Sequence, residues 1–290
     1  MLVGSVQMDV RLGDPTNRNR CVTKVREALS QGARLVVLPE CATSGYMLRS
    51  REETVSLAET IPGPTSEALH RLCKPHAAYV VIGLLERAAS GIFNAAVLIG
   101  PSGVLNVYRK AHLPRLGVDR FVQPGDLPFS TKRTKAAAIG MLICYDLRFP
   151  EAPRVLTLQG CEILALPTNW PEGAASPVLY TKTRAHENRI YILAANRVGE
   201  ERGVCFMGRS QLVDPGGNVL AEASSDREEI LLADIDPQVA RDKRPVHLPY
   251  DIVLDVVGDR RPDLYAEIAT ARRADVSRKG RHQSVRRPRR

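Results

Sequence analysis

The chain has 290 residues, 44% of them hydrophobic and 5% aromatic, and a formal charge of +9. That length allows one large domain or two small ones, and a composition rich in Val, Ile, Leu and Ala suits an α/β protein. No apolar run approaches the ~20 residues that cross a bilayer, so no membrane-spanning helix is expected. The opening stretch MLVGSVQMDV lacks a basic leader region and a cleavage site, which predicts no signal peptide and a cytoplasmic location. Six scattered cysteines are then expected to be reduced thiols.

The net charge misleads as a whole-chain number. Residues 271–290 hold nine Lys/Arg and one Asp, and the other 270 residues carry 32 bases against 31 acids. The body is therefore close to neutral and the basicity belongs to a tail. With almost no apolar residues the tail cannot bury a face, which predicts disorder. A nucleic acid or another acidic surface is the partner such a tail would take, and a solvated extension is the simpler reading.

Residues 2–8 alternate as a strand, and 17–32 carry helical spacing that ends at a glycine. A buried strand follows over 34–40, a helix over 65–76, and strands over 78–87 and 93–100 joined near Ser90 and Gly91. A further strand, 104–110, ends in Lys110. The second half repeats the pattern: a strand over 136–144, a helix near 150–159, a strand over 161–169, a helix over 178–189 and a strand over 190–198. Residues 208–223 read as a hairpin turning at Asp214-Pro215-Gly216-Gly217, and 228–236 as a last strand. Strands alternating with helices imply parallel βαβ units, and the hairpins imply mixed pairing. No Gly-, Pro- or Ser-rich linker interrupts the chain before 250, so one domain is expected over 1–268 and a basic tail over 269–290. Neither phosphate-binding glycine motif is present.

The chemistry concentrates where three apolar strands end. Cys144 closes AAAIGMLIC and opens the polar turn YDLRFPE, placing a thiol at a strand-to-helix turn with free backbone N–H groups. Glu40 ends RLVVLPE and Lys110 ends VLNVYRK. A thiol with a pKa near 8.5 needs a base or a cation to react at neutral pH, and these two supply them. A histidine partner is also open, with His112 and His186 near the site segments. Singly, Cys144 reads as a small buried hydrophobe, Glu40 as a strand-end acid and Lys110 as a solvated base. Together they sit at the carboxyl ends of strands, where α/β sheets collect their sites. His70, His76, His247 and His282 show no ligand spacing, so no metal is expected.

Over residues 2–265 the chain resembles the nitrilase superfamily of carbon–nitrogen hydrolases. The resemblance is carried by LVVLPECATSGY around Glu40, YRKAHLP around Lys110 and GMLICYDLRFPE around Cys144, in that order, with support from 184–203, 208–223 and RRPDLY at 260–265. It implies a four-layer αββα sandwich with two mixed sheets, a Glu40–Lys110–Cys144 triad, no metal or organic cofactor, and a homodimer or larger assembly. Glu40 is then the proton acceptor, Cys144 the nucleophile that forms a thioester, and Lys110 with the Tyr145 N–H the oxyanion donors.

One departure stands out. Relatives often carry a second glutamate a few residues after the lysine; here the acid in that stretch is Asp119, read either as its shorter stand-in or as a surface acid paired with Arg115 or Arg120. Glu187, with Asn188, could brace the triad or simply pair with Arg184 or Arg148. Asp146 and Arg148 are expected to fix the nucleophile's turn. Tyr46, Asn169 and Trp170 follow strand ends and are candidate pocket residues. CYDLRFPE looks closer to the amidase branches, omega-amidase-like enzymes among them, than to nitrilases. Small linear amides therefore rank first as substrates, N-carbamoyl compounds second and nitriles third. A rival of another class is a non-catalytic scaffold of the same fold with a nucleic-acid-binding tail.

Overall fold

In the computed structural model the described residues are 1–173, 177–244, 246–247 and 252–270. The tail expected over 269–290 lies outside them from residue 271 onward.

In chain order the first half consists of β1 (Leu2–Asp9), α1 (Asn17–Ser30), β2 (Leu35–Val37), α2 (Arg51–Leu57), α3 (Pro64–His76), β3 (Tyr79–Ala88), β4 (Gly91–Gly100) and β5 (Gly103–Arg109). After a short 3-10 turn at Gly117–Arg120 come β6 (Thr131–Arg133), β7 (Ala138–Met141), a 3-10 turn at Cys144–Arg148, α4 (Glu151–Leu158), β8 (Ile163–Pro167), α5 (Pro177–Asn188) and β9 (Tyr191–Ala195). Short strands β10 (Arg197–Val198), β11 (Glu200–Glu201) and β12 (Val204–Cys205) lead to β13 (Gln211–Val213), β14 (Val219–Glu222), β15 (Glu229–Asp234) and α6 (Pro237–Arg241).

Two mixed sheets result. The first runs β10-β1-β2-β3-β4-β5, with β15 also paired to β1; the second runs β14-β13-β9-β8-β7-β6. Pairing is parallel from β1 through β3 and from β7 through β9, and antiparallel at the hairpins. The strands are apolar on both faces because both faces are covered. Leu35 and Val37 join the core between the sheets, while Val36 and Leu38 pack under α1 and α3 with Val25, Leu29 and Leu69. On the second sheet's outer side, Leu156 of α4 and Ala185 of α5 close the fourth layer. This is the αββα sandwich that the resemblance implies.

Several elements depart from the sequence reading. The strands before Glu40 and Cys144 stop early, at Val37 and Met141. Pro39 has no N–H for the ladder, so the chain leaves the sheet and bends toward the site. The run 190–198 is not one strand. It breaks at Asn196, and Arg197–Val198 pairs with β1 in the other sheet. Helix α2 was not anticipated, although Ser50 and Glu53 have capping-box spacing and Ser50 accepts from the Glu53 N–H at 3.2 Å. The edge strand β6 is too polar to read as a strand. The Asp214 turn is as expected, with Asp214 Oδ1 accepting from the N–H groups of Gly216 at 2.8 Å and Asn218 at 2.9 Å.

Candidate active site

The site lies at the seam between the two sheets. Glu40 follows β2 and Lys110 follows β5 in the first sheet; Cys144 follows β7 and Asn169 follows β8 in the second. Hydrogen bonds tie the ends of β2 and β8 together across the seam. The Glu40 N–H donates to the Thr168 carbonyl at 3.4 Å, and Asn169 Nδ2 donates to the Glu40 carbonyl at 2.9 Å. Gly83 lets the Glu40 turn settle onto β3, since a Cβ there would stand 2.5 Å from Glu40 Cα. Cys144 has a φ of 47°, the left-handed conformation that β-carbon-bearing residues seldom adopt and that recurs at functional sites.

Lys110 is the hub. Its Nζ donates to Glu40 Oε1 at 2.7 Å and to Asp119 Oδ2 at 2.5 Å, with all three side chains fully shielded from solvent. Asn94, on β4, donates to the same two carboxylates, at 2.7 Å to Glu40 Oε1 and 2.9 Å to Asp119 Oδ1. The Tyr46 hydroxyl donates to Asp119 Oδ2 at 2.7 Å. Asp119 is thus a member of the charged cluster and not a surface acid paired with Arg115 or Arg120. Its shorter arm reaches because Gly117, at φ 51°, lets the 3-10 turn lie against the Tyr46 carbonyl. Glu40 Oε2, by contrast, is buried without a hydrogen-bond partner among the described residues.

Burial raises the Glu40 carboxyl above the usual glutamate range; Lys110 partly offsets this and Asp119 reinforces it. Burial works against the Lys110 ammonium too, but the Asp119 and Glu40 carboxylates outweigh it and hold its pKa well above the ordinary lysine value. The Cys144 thiol is pushed well up, first by burial and then by Glu40, with Lys110 and the Asn169 N–H pulling the other way. The resting thiol is therefore protonated and needs a base.

The Cys144 turn is braced by Asp146. Its Oδ2 accepts from the Ile143 N–H at 3.0 Å and the Tyr108 hydroxyl at 2.8 Å, and its Oδ1 accepts from the His112 N–H at 3.0 Å. His112 stacks on Phe149 with ring centroids 3.7 Å apart. It therefore serves the turn, its ring nitrogen set against Asp146 at 2.8 Å. Glu187 makes no hydrogen bond to Glu40, Lys110 or Cys144 among the described residues. It pairs with Arg184 at 3.0 Å, and Arg184 in turn donates to the Leu147 and Arg148 carbonyls.

A pocket of about 190 Å³ opens over Cys144. Tyr46, Asn169 and Trp170 line it as the sequence suggested, joined by Tyr145, Arg148 and Tyr180, which were not read as pocket residues. Trp170 is set by Asn196, whose Oδ1 accepts the Trp170 N–H at 2.9 Å at the point where the chain crosses between sheets. Tyr46 is set by Glu201, which accepts its N–H at 2.9 Å and pairs with the buried Arg197. The Arg148 guanidinium lies 5.8 Å from the Tyr145 ring centroid and 5.4 Å from that of Tyr180. It makes no ion pair among the described residues. Asn94 was also missed; its one signal was a lone amide in the otherwise apolar run FNAAVLIG. Among the described residues no group of three or more His, Cys, Asp or Glu could hold a metal ion, and no helix is long and apolar enough to cross a membrane.

Known proteins resemble this chain in sequence and fold. The family model for carbon–nitrogen hydrolases matches residues 2–245. A protein named nitrilase from Pyrococcus abyssi is 37% identical over 265 residues, covering 91% of this chain and 98% of its own. The human omega-amidase NIT2 is 32% identical over 274 residues, covering 90% and 95%. Among solved structures, Saccharomyces cerevisiae Nit3, a member of the nitrilase superfamily, superposes with a TM-score of 0.74 at 28% identity, over 83% of this chain and 91% of that one. An amidase of the same superfamily from Nesterenkonia AN1 shares the fold with a TM-score of 0.75 at 24% identity, over 92% and 97%. The chain belongs to the carbon–nitrogen hydrolase family, the nitrilase superfamily, and is a hydrolase acting on carbon–nitrogen bonds.

Proposed function

We propose that the protein cleaves the C–N bond of a small linear amide through a thioester on Cys144, with Glu40 as base and Lys110 as oxyanion donor. The observation that carries this reading is the division of labour within Glu40: Oε1 is held by Lys110 and Asn94, while Oε2 is buried and unpaired. A buried acceptor with no partner is costly unless it has a task, and accepting a thiol proton is one.

Glu40 takes the proton from Cys144 Sγ as the sulfur attacks the amide carbon. Lys110 has three N–H donors, two of them engaged by Glu40 and Asp119. The third, with the Tyr145 N–H at the start of its 3-10 turn, stabilises the developing oxyanion. Protonated Glu40 gives its proton to the departing nitrogen, the C–N bond breaks, and ammonia or an amine leaves the thioester. Glu40 then deprotonates water, the hydroxyl adds to the carbonyl, and the acid and free thiol are restored.

The pocket supports a further restriction. Arg148 is a cation at its wall with no carboxylate beside it, which favours an amide bearing a carboxylate at its far end and disfavours an amine. One relative is named an omega-amidase and another a nitrilase, so carboxylated amides, neutral amides, N-carbamoyl amino acids and nitriles are the panel to test. Ammonia release should be fastest from the carboxylated amide. Arg148→Met should weaken kcat/KM for it by about 10- to 100-fold, the value of one charge-assisted hydrogen bond, and spare a neutral amide. Turnover confined to nitriles or carbamoyl compounds would refute the amide assignment. The same reading includes a homodimer, supported by the exposed Val155 and Leu158 of α4 and Leu179 of α5; its test is the mass by light scattering.

A further inference from the structure

A second concave site lies at the opposite end of the strands, and nothing in the chemistry above uses it. It is a cleft of about 900 Å³ between the two sheets, where β2, β3 and β5 begin. Four charged side chains line it, all cationic: Arg34 from the approach to β2, Lys132 and Arg133 from β6, and Lys135 from the turn that follows. No acid lines it. None of the four is within 4.0 Å of a carboxylate among the described residues.

Charge on an edge strand guards against edge-to-edge association, and that accounts for Lys132 and Arg133 alone. It does not account for Arg34, which comes from the other sheet and faces the same cleft. Nor does it account for the way the wall is held. Thr134 Oγ1 donates to the Ala137 carbonyl at 2.8 Å and accepts the Ala136 and Ala137 N–H groups, each at 3.1 Å. The Lys135 N–H donates across the seam to the Tyr79 hydroxyl at 3.2 Å. The Arg34 guanidinium is tied to the His76 carbonyl. In a body whose charges nearly balance, these four solvent-exposed cations without acidic partners concentrate positive potential at one hollow, which favours an anion there.

We infer that this cleft binds an organic polyphosphate of nucleotide size, its phosphoryl groups on Arg34, Lys132, Arg133 and Lys135 and its organic part against Leu105 and Ala136. One phosphate would leave half of the cations unmatched; two or three match them. The cleft stands apart from Cys144, so occupancy does not depend on the catalytic thiol.

Isothermal titration of the full chain with ATP, tripolyphosphate and adenosine, in buffer of low ionic strength, tests this. ATP should bind saturably at one site per chain, tripolyphosphate should compete with it, adenosine should not bind, and affinity should fall as salt rises. Lys132→Glu with Arg133→Glu should weaken ATP binding at least tenfold while amide turnover stays at the wild-type level, which confirms that the variant is folded. A chain with Arg286, Arg287, Arg289 and Arg290 changed to Ser should bind as wild type. The inference is overturned by any of three results: no saturable ATP binding, ATP binding unchanged in the double variant or lost in the tail variant, or binding of a single-stranded oligonucleotide without binding of ATP.

Discussion

The side-chain amide nitrogen of Asn94 stands 2.7 Å from Glu40 Oε1 and 2.9 Å from Asp119 Oδ1 and donates to both. One neutral group thus spaces two carboxylates around a single lysine. Replacing Asn94 with Leu keeps the volume and removes both bonds. Turnover should drop on the order of 10- to 100-fold with KM little changed, because the base is misaimed and the pocket is intact. Steady-state kinetics on the best amide measure this; a loss entirely in KM would mean that Asn94 contacts substrate.

Asp119 supplies the second negative charge that sustains the Lys110 ammonium. Asp119→Asn keeps the shape and removes that charge. The Lys110 pKa should fall and kcat with it, by about 100-fold or more if the lysine stabilises the oxyanion. The basic side of the rate profile should move to lower pH in the variant. Tyr46→Phe, which removes one bond to Asp119, should cost less.

The pH dependence follows from Glu40. Its folded pKa lies above the unfolded value because burial disfavours the charged form. The base must be ionised to act, so kcat/KM should be lost as pH falls through that raised value, and the acidic limb should sit above the ordinary glutamate range near 4.5. The same sign makes ionised Glu40 a cost to folding as pH rises through its folded pKa. Glu40→Gln should therefore retain or gain stability at neutral pH while losing turnover. Thermal melts beside the rate profile check both halves.

Gly83 tests the packing of the base's turn. An alanine there puts a Cβ 2.5 Å from backbone at Glu40 Cα, which no rotamer change relieves. Gly83→Ala should destabilise by about 1–3 kcal/mol and reduce turnover through displacement of Glu40. A melt and kinetics within error of wild type would show that the turn tolerates more than its geometry suggests.

The placing of Glu40, Lys110 and Cys144 at strand ends and most of the fold were legible in the sequence because they follow local rules: apolar runs for buried strands, glycine and proline for turns, and polar residues at strand ends. What escaped depends on the meeting of distant segments. Asn94 reads as a strand residue until β4 is set beside Glu40 and the Asp119 turn. Asp119 was undecided because its reach depends on Gly117 lying under Tyr46, which no spacing shows. The break at Asn196 was invisible because Tyr191–Ala195 and Arg197–Val198 have the same apolar character and differ only in which sheet they join. Arg148 belongs to the Cys144 motif, yet its side chain serves the pocket wall and its carbonyl accepts from Arg184.

The central claim, that Cys144 carries the acyl group, is tested most directly by the intact mass of the enzyme quenched during turnover of its best amide. Wild type should gain the acyl mass, mapped to Cys144. Cys144→Ala should show no adduct and lose turnover by about 10⁴-fold or more. An adduct on another residue, or a Cys144→Ala enzyme that turns over at the wild-type rate, would contradict it.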